Sequence, residues 1–247
     1  MTMTFPAFTD LAAVAEELAS RGNVKLRAIL TQAWRAQSCL GDLRQANDCA
    51  GVLRDMLKRP NEQDTPALLT VERSLLANAI MLYARATSTN GDKGERGSIQ
   101  LSEKKLTPEE WADHNAILDV RNQAMAHVYR SRKLSDHDWH RAVFFAVDAG
   151  GGQWKPASAS NQTSFHAETF ARLEKILPVA LREVKAKFHE RMEAVTKMVN
   201  SDVKASGLRK HVFDPVAVFG TEEAVRALLA GEGQGDAAFW INEGKRA

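Results

Sequence analysis

Three side chains with complementary chemistry lie close together near the middle of the chain: Arg121, Asn122 and His127. An imidazole accepts or releases a proton near neutral pH, which suits it to general acid or base work. A guanidinium offers a planar fork of N–H donors that holds an anionic group and stabilises charge as it develops. The amide of asparagine adds a neutral hydrogen-bonding group. We therefore treat this trio as the candidate catalytic centre.

Arg121 belongs to a helical pattern that begins at Pro108 and continues to about Arg130. Two apolar lines run along this pattern, and His114 and Arg121 fall between them; the lines are Trp111, Leu118, Met125 and Ile117, Ala124, Val128. A guanidinium cannot lose its proton and is costly to bury without a partner. Either a carboxylate such as that of Glu72 or Asp119 meets Arg121, or the apolar arc faces a wet cleft. Both alternatives are open at this stage.

The spacing between the two charged members of the trio sets a geometric condition. His127 follows Arg121 by six residues, which places it about 120° away on a regular α-helix. The two side chains can therefore converge only if the helix is distorted between them, or if a second copy of the chain brings its own pair nearby.

The segment Leu118-Asp-Val-Arg121-Asn122-Gln-Ala-Met-Ala-His127 resembles the signature of the HEPN superfamily, an arginine followed after four to six positions by a histidine. The asparagine directly after the arginine, the alanine directly before the histidine and the apolar-rich helix distinguish it from other Arg-to-His spacings in the chain. Upstream, Leu82-Tyr83-Ala84-Arg85 closes a helix, and a polar loop and a helix containing His114 follow. This order is similar to that of the prokaryotic abortive-infection and toxin-like HEPN proteins. The resemblance covers residues 65 to 135.

The resemblance implies a helical bundle that forms a homodimer, with two Arg/His motifs in one cleft. It also implies metal-independent cleavage of RNA, with Arg121, Asn122 and His127 as catalytic residues and an antitoxin protein as a candidate partner. The chemistry is consistent with these residue types, because RNA carries its own nucleophile in the 2′-hydroxyl. A rival interpretation is a catalytically silent HEPN module that binds RNA, a nucleotide or a protein. A third is a structural helical oligomer in which Arg121 only pairs with a carboxylate.

Basic and aromatic residues directly downstream of the motif are candidate RNA contacts. Arg130, Arg132 and Lys133 could grip backbone phosphates, and Tyr129 among them could stack on a base. Arg85 on the preceding helix is a further candidate. The alternative for this cluster is a solvated helix end whose positive charge is favoured by the helix dipole.

Composition and charge restrict the class of protein. The 247 residues carry a net charge of only +2, with 44% hydrophobic and 26% charged residues, so we expect a soluble folded protein whose basic patch is local. Two cysteines without a second pair indicate reduced thiols. The absence of a signal-like N-terminus and of any apolar run of about 18 residues predicts a cytoplasmic protein that avoids membranes. The histidines at 137 and 140 lack the ligand spacing of a zinc site, so we predict no metal and no cofactor.

The elements that must position the trio are mostly helical. Cap and proline signals predict helices starting after Thr9–Asp10, at Thr65–Pro66 and at Thr107–Pro108, and a long helix over 23–58 that is broken near Gly41. A glycine-turn β-hairpin is predicted over 141–155, and a helix over 164–200 should kink or split at Pro178. The predicted fold is mainly α: a HEPN-like up-and-down bundle over 1–135, with the hairpin, the long C-terminal helix and a tail over 136–247 packing on the same domain.

Overall fold

The computed structural model describes residues 5–59, 65–89, 96–125, 137, 139–201, 203 and 205–230. Within these ranges the chain is mainly helical, with two small antiparallel sheets, which confirms the predicted mainly α class. Five residues of the predicted site lie outside the described residues: His127, Tyr129, Arg130, Arg132 and Lys133. The Phe239-Trp240-Ile241 tail also lies outside them.

Three helices occupy the first part of the chain: α1 (Leu11–Ser20), α2 (Val24–Leu57) and α3 (Pro66–Thr87). The carboxylate of Asp10 caps α1 by accepting the N–H groups of residues 12 and 13, and the hydroxyl of Thr65 caps α3 by accepting that of residue 68. Both predicted starts are confirmed. The predicted break in α2 is wrong, because the helix continues through Gly41.

The helix that carries the motif, α4 (Pro108–Val120), begins with the predicted capping box. The Thr107 hydroxyl accepts the N–H of Glu110, and the Glu110 carboxylate accepts the N–H of Thr107, at 3.1 and 2.8 Å. At Arg121 the winding changes from α to a π-helical turn, Arg121–Met125. The predicted regular helix through the motif is therefore interrupted at the arginine itself.

The predicted hairpin is confirmed and is longer than expected. Strand β2 (His140–Asp148) pairs antiparallel with β3 (Trp154–Gln162), and the register pairs His140 with Gln162 and Asp148 with Trp154. The three glycines between the strands, 150 to 152, all have φ between +61° and +86°, a region that side chains with a Cβ disfavour. The turn therefore depends on glycine.

The long helix α5 (Ala167–Ser201) runs without interruption through the exposed Pro178, so the predicted split is wrong. The shorter elements are β1 (Phe8–Thr9), α6 (Ala205–Leu208), β4 (Val212–Phe213), α7 (Pro215–Phe219) and α8 (Glu222–Ala230). Strand β1 pairs antiparallel with β4, which joins the beginning of the described chain to the segment between α6 and α7.

The chain forms two compact units, one of residues 1–37 with 186–247 and one of residues 38–185. The hairpin and the first half of α5 belong to the second unit. The core of the first unit is built from α1, the start of α2 and the end of α5, around Val14, Leu30, Val195 and Met198. The second unit buries residues of α2, α3, α4 and α5, including Leu43, Ile80, Tyr83, Ile117 and Leu173.

Helix α3 has the length and mean hydropathy that a membrane-spanning helix needs, and among the described residues it is the only helix that does. Core helices of globular proteins meet the same criterion. Here α3 contacts α4 and the π turn within the second unit, and it buries Leu76, Ile80 and Tyr83. These contacts make α3 the central support of the candidate site.

Candidate functional site

A buried pair of aromatic side chains joins α4 to α3 two turns before the motif. The Tyr83 hydroxyl lies 2.7 Å from Nδ1 of His114, and the Trp111 ring lies 5.1 Å from the His114 ring, centroid to centroid. His114 is 3% exposed, and burial lowers its pKa to about 4. Burial, reinforced by the nearby Asp113 carboxylate, raises the pKa of Tyr83. Both groups are therefore neutral at pH 7, and their hydrogen bond fixes α4 on α3.

Arg121 is half-buried at the start of the π turn, where its N–H still donates to the carbonyls of Ile117 and Leu118. Its Nη1 donates to the side-chain oxygen of the exposed Asn122 at 2.9 Å. Its Nε is buried and has no hydrogen-bond partner among the described residues. The first two members of the predicted trio therefore contact each other directly.

The carboxylate pair considered for Arg121 is not found in the described part of the chain. No described carboxylate forms an ion pair with its guanidinium, and Asp119 instead accepts from the amide of Gln123 at 3.5 Å. Glu72 is buried on α3 and has an interaction of its own. The Nε donor of Arg121 is therefore unsatisfied within the described part of the chain.

The π turn affects whether the side chains of Arg121 and His127 can approach each other. Arg121 and His127 can converge only if the helix between them is distorted or if a second copy of the chain brings its own pair nearby. Such a distortion is present, because residues Arg121–Met125 form the π turn. Single π turns inside α-helices are rare and are frequent at functional sites. His127 itself lies outside the described residues, so its distance from Arg121 stays a prediction.

Arg85, a predicted RNA contact, takes part in an ion-pair cluster. Its Nε donates to Asp42 at 2.8 Å, and the Asp42 carboxylate raises the pKa of Arg85. Arg96 donates to the same carboxylate at 2.6 Å and also to the Ser38 hydroxyl at 2.7 Å. Since the Arg85 side chain is 57% exposed while that of Asp42 is 9% exposed, Arg85 has a structural partner and a solvent-facing surface. Its contact with RNA stays a prediction.

A cleft of about 190 Å³ lies against the end of the π turn, within the second unit. Its apolar wall comes from three places in the chain: Leu76 and Ala77 of α3, Ala124 and Met125 of the π turn, and Trp139 before β2. Sequence reasoning did not identify this cleft, because its walls meet only in the folded unit.

The polar wall of the cleft combines one cation, one imidazole and two hydroxyls: Arg73, His140, Thr163 and Ser164. None of the described residues that line it is acidic. Arg73 is exposed, and the other three are half-buried. The cleft can therefore accept an acceptor-rich or anionic ligand.

A pair of stacked histidines supports this wall from behind. The rings of His137 and His166 lie 4.3 Å apart at 29°, and His137 Nε2 lies 2.7 Å from the Thr163 hydroxyl. The Thr169 N–H donates to Nδ1 of His166, and burial together with His137 lowers the pKa of His166. No group of three or more potential metal ligands occurs in the described ranges, and the absence of a metal site at His137 and His140 stays a prediction.

No protein-family model, curated protein or solved structure matches the chain.

Proposed function

We propose that this protein is a metal-independent endoribonuclease of the HEPN type, acting as a cytoplasmic homodimer, with Arg121, Asn122 and His127 as its catalytic residues. A role as a defence or toxin effector held in check by an antitoxin fits this activity. The observation that carries the proposal is the π turn that begins at Arg121, with the guanidinium bonded to Asn122 and no described carboxylate paired to it.

The proposed reaction uses the 2′-hydroxyl of RNA as nucleophile. His127, or the same residue of a second copy, takes the 2′-hydroxyl proton or protonates the leaving 5′-oxygen. Arg121 holds the phosphate and stabilises the charge that develops on its oxygens. The products would be a 2′,3′-cyclic phosphate and a 5′-hydroxyl. DNA lacks the nucleophile and should resist cleavage.

Two features support Asn122 and Arg121 as a preorganised unit. Their 2.9 Å hydrogen bond fixes the orientation of the guanidinium, and the half-buried setting of Arg121 strengthens its interaction with a phosphate relative to open solvent. Because the neutral His114 lies buried two turns away on α4, it does not compete as the proton carrier.

The hairpin supports the homodimer. Val143, Phe145 and Val147 alternate along β2, so they share one face, and all three are exposed. Apolar surfaces of this kind are typical of association sites. Phe145→Ser should shift the sedimentation coefficient toward the monomer if a second copy covers this face; the exposed Ser158→Ala is the control.

The activity is tested with purified protein, labelled RNA and excess EDTA, alongside Arg121→Ala, His127→Ala and a matched control, Arg182→Ala, whose side chain is 61% exposed. Loss of one catalytic partner of this kind typically lowers the rate by about 10²- to 10⁴-fold. Cleavage should therefore disappear in the first two variants and persist in the control. RNA binding without cleavage, unaffected by His127→Ala, would instead favour the silent HEPN module.

A further inference from the structure

We infer that the cleft beside the π turn is a subsite for a single nucleotide of the RNA, in which the base enters between the apolar wall and His140 and the phosphate meets Arg73. This builds on the proposed function, since the ligand is taken to be part of the RNA substrate. The catalytic motif does not include any residue of this cleft.

The size of the cleft restricts its occupant. Its volume of about 190 Å³ exceeds what one ordered water needs and falls below the roughly 300 to 1,000 Å³ of pockets for drug-sized ligands. A dinucleotide cofactor is therefore too large. A single flat ring with one phosphate outside it fits the available space.

The lining matches a nucleotide in two ways. Leu76, Ala77 and Met125 offer apolar contact, and the half-buried imidazole of His140 offers a ring on which a base can stack. The hydroxyls of Thr163 and Ser164 can donate to or accept from the edge of a base, whatever its identity.

The charge of the lining indicates where the phosphate goes. Arg73 lines the cleft, is exposed, forms no ion pair with any described carboxylate, and has no acidic neighbour among the described lining residues. Its fork of N–H donors suits a phosphate at the mouth. The Thr163 hydroxyl lies 2.7 Å from Nε2 of His137, and His137 stacks on His166, so these contacts orient this part of the wall.

The position of the cleft links it to the motif. Ala124 and Met125 belong to both the π turn and the cleft wall, and His127 follows Met125 by two residues in the sequence. Two residues of chain span at most about 7 Å. A base in the cleft would therefore set which phosphodiester of a bound RNA lies at the motif.

The test is calorimetric titration of the full chain with uridine 5′-monophosphate, uridine and inorganic phosphate. The monophosphate should bind at least about tenfold more tightly than either fragment alone, because the base and the phosphate use different parts of one site. Arg73→Ala should lower its affinity to that of uridine, and Ala77→Leu, which fills the cleft, should abolish binding of both. Arg182→Ala should change nothing. Equal affinity for all three ligands, or full binding by Ala77→Leu with a wild-type circular dichroism spectrum, would overturn the inference.

His127→Ala separates this inference from the proposed nuclease activity. It should keep the affinity for the monophosphate within about twofold while it removes cleavage, whereas Arg73→Ala should raise KM for RNA with kcat nearly unchanged. A chain that cleaves RNA but does not bind the monophosphate refutes the subsite and leaves the nuclease standing. A chain that binds it and does not cleave refutes the nuclease alone.

Discussion

Replacing Asp42 should destabilise the second unit far more than replacing Arg85, although the two side chains form one ion pair. The Asp42 carboxylate, 9% exposed, is shared between Arg85, 57% exposed, and Arg96, 13% exposed. Removing one partner of a buried ion pair costs about 3 to 5 kcal/mol, because the other charge is left without compensation. An exposed pair contributes only about 0.2 to 1 kcal/mol.

These magnitudes give distinct expectations for two variants. In Asp42→Ala, the partly buried Arg96 keeps its bonds to the Ser38 hydroxyl and to the carbonyls of Arg85 and Gly97, so the cost should lie near the lower limit, about 3 kcal/mol. In Arg85→Ala, Asp42 keeps Arg96, and the cost should stay below about 1 kcal/mol.

The assay is urea unfolding followed by far-ultraviolet circular dichroism, with the slope of the transition used to check that each variant unfolds like the wild type. Asp55→Ala is the matched control, since Asp55 lies on the same helix and its ion pair with Lys58 is exposed. Equal losses for Asp42→Ala and Asp55→Ala, or an equal loss for Arg85→Ala, would refute the reasoning. A stable Arg85→Ala protein can then be used to measure whether Arg85 contacts RNA.

Three further outcomes are expected. Burial holds the pKa of His114 in the folded protein at about 4, below its value in the unfolded chain, so the unfolded chain binds the proton first as the pH falls. The wild type should therefore lose about 2 kcal/mol of unfolding free energy between pH 7 and pH 5 that His114→Gln does not lose. Urea titrations at both pH values measure this difference. Tyr83→Phe should cost about 1 to 3 kcal/mol in the same assay, because His114 loses its buried partner. Pro178→Ala should raise the melting temperature, since an exposed helix position regains an N–H donor, with a gain of about 1 to 3 kcal/mol.

Each of these expectations can fail clearly. A pH slope that is the same in His114→Gln and the wild type would show that His114 titrates normally. A Tyr83→Phe protein as stable as the wild type would show that the hydroxyl adds nothing to the packing. A lower melting temperature for Pro178→Ala would show that α5 needs the proline for a reason other than backbone hydrogen bonding.

Local chemistry made several helix starts predictable. Asp10, Thr65 and Thr107 each provide an oxygen that accepts the N–H groups left unpaired in the first helical turn, and proline follows two of them directly. The hairpin was predictable for a similar reason, since three consecutive glycines separate two short β-rich segments.

Breaks inside helices were predicted wrongly, because packing outweighs local propensity. Glycine costs a helix only about 1 kcal/mol relative to alanine, and Gly41 lies between the fully buried Leu40 and Leu43. Pro178 is exposed, while Leu177 and Val179 beside it are buried. The apolar contacts on the inner faces of α2 and α5 therefore keep both helices continuous.

The cleft and the partner of Arg85 could not be predicted from local patterns. Arg73 and Ser164 meet in the cleft although 91 residues separate them, and Asp42 precedes Arg85 by 43 residues. Charge near the motif suggested RNA contacts at Arg85, but a carboxylate distant in sequence pairs with it. The spacing of the apolar residues did not predict the π turn. The six-residue separation of Arg121 and His127, however, already showed that a regular helix would keep these two side chains apart.

The most direct test of the proposed Arg121–His127 chemistry is the end-group analysis of RNA cut by the protein in EDTA, with a second substrate that carries a single 2′-deoxy nucleotide at the cut position. We predict 2′,3′-cyclic phosphate and 5′-hydroxyl ends, no cut at the deoxy position, and no cut anywhere with Arg121→Ala. Ends with a 5′-phosphate, or cleavage at the deoxy position, would contradict it.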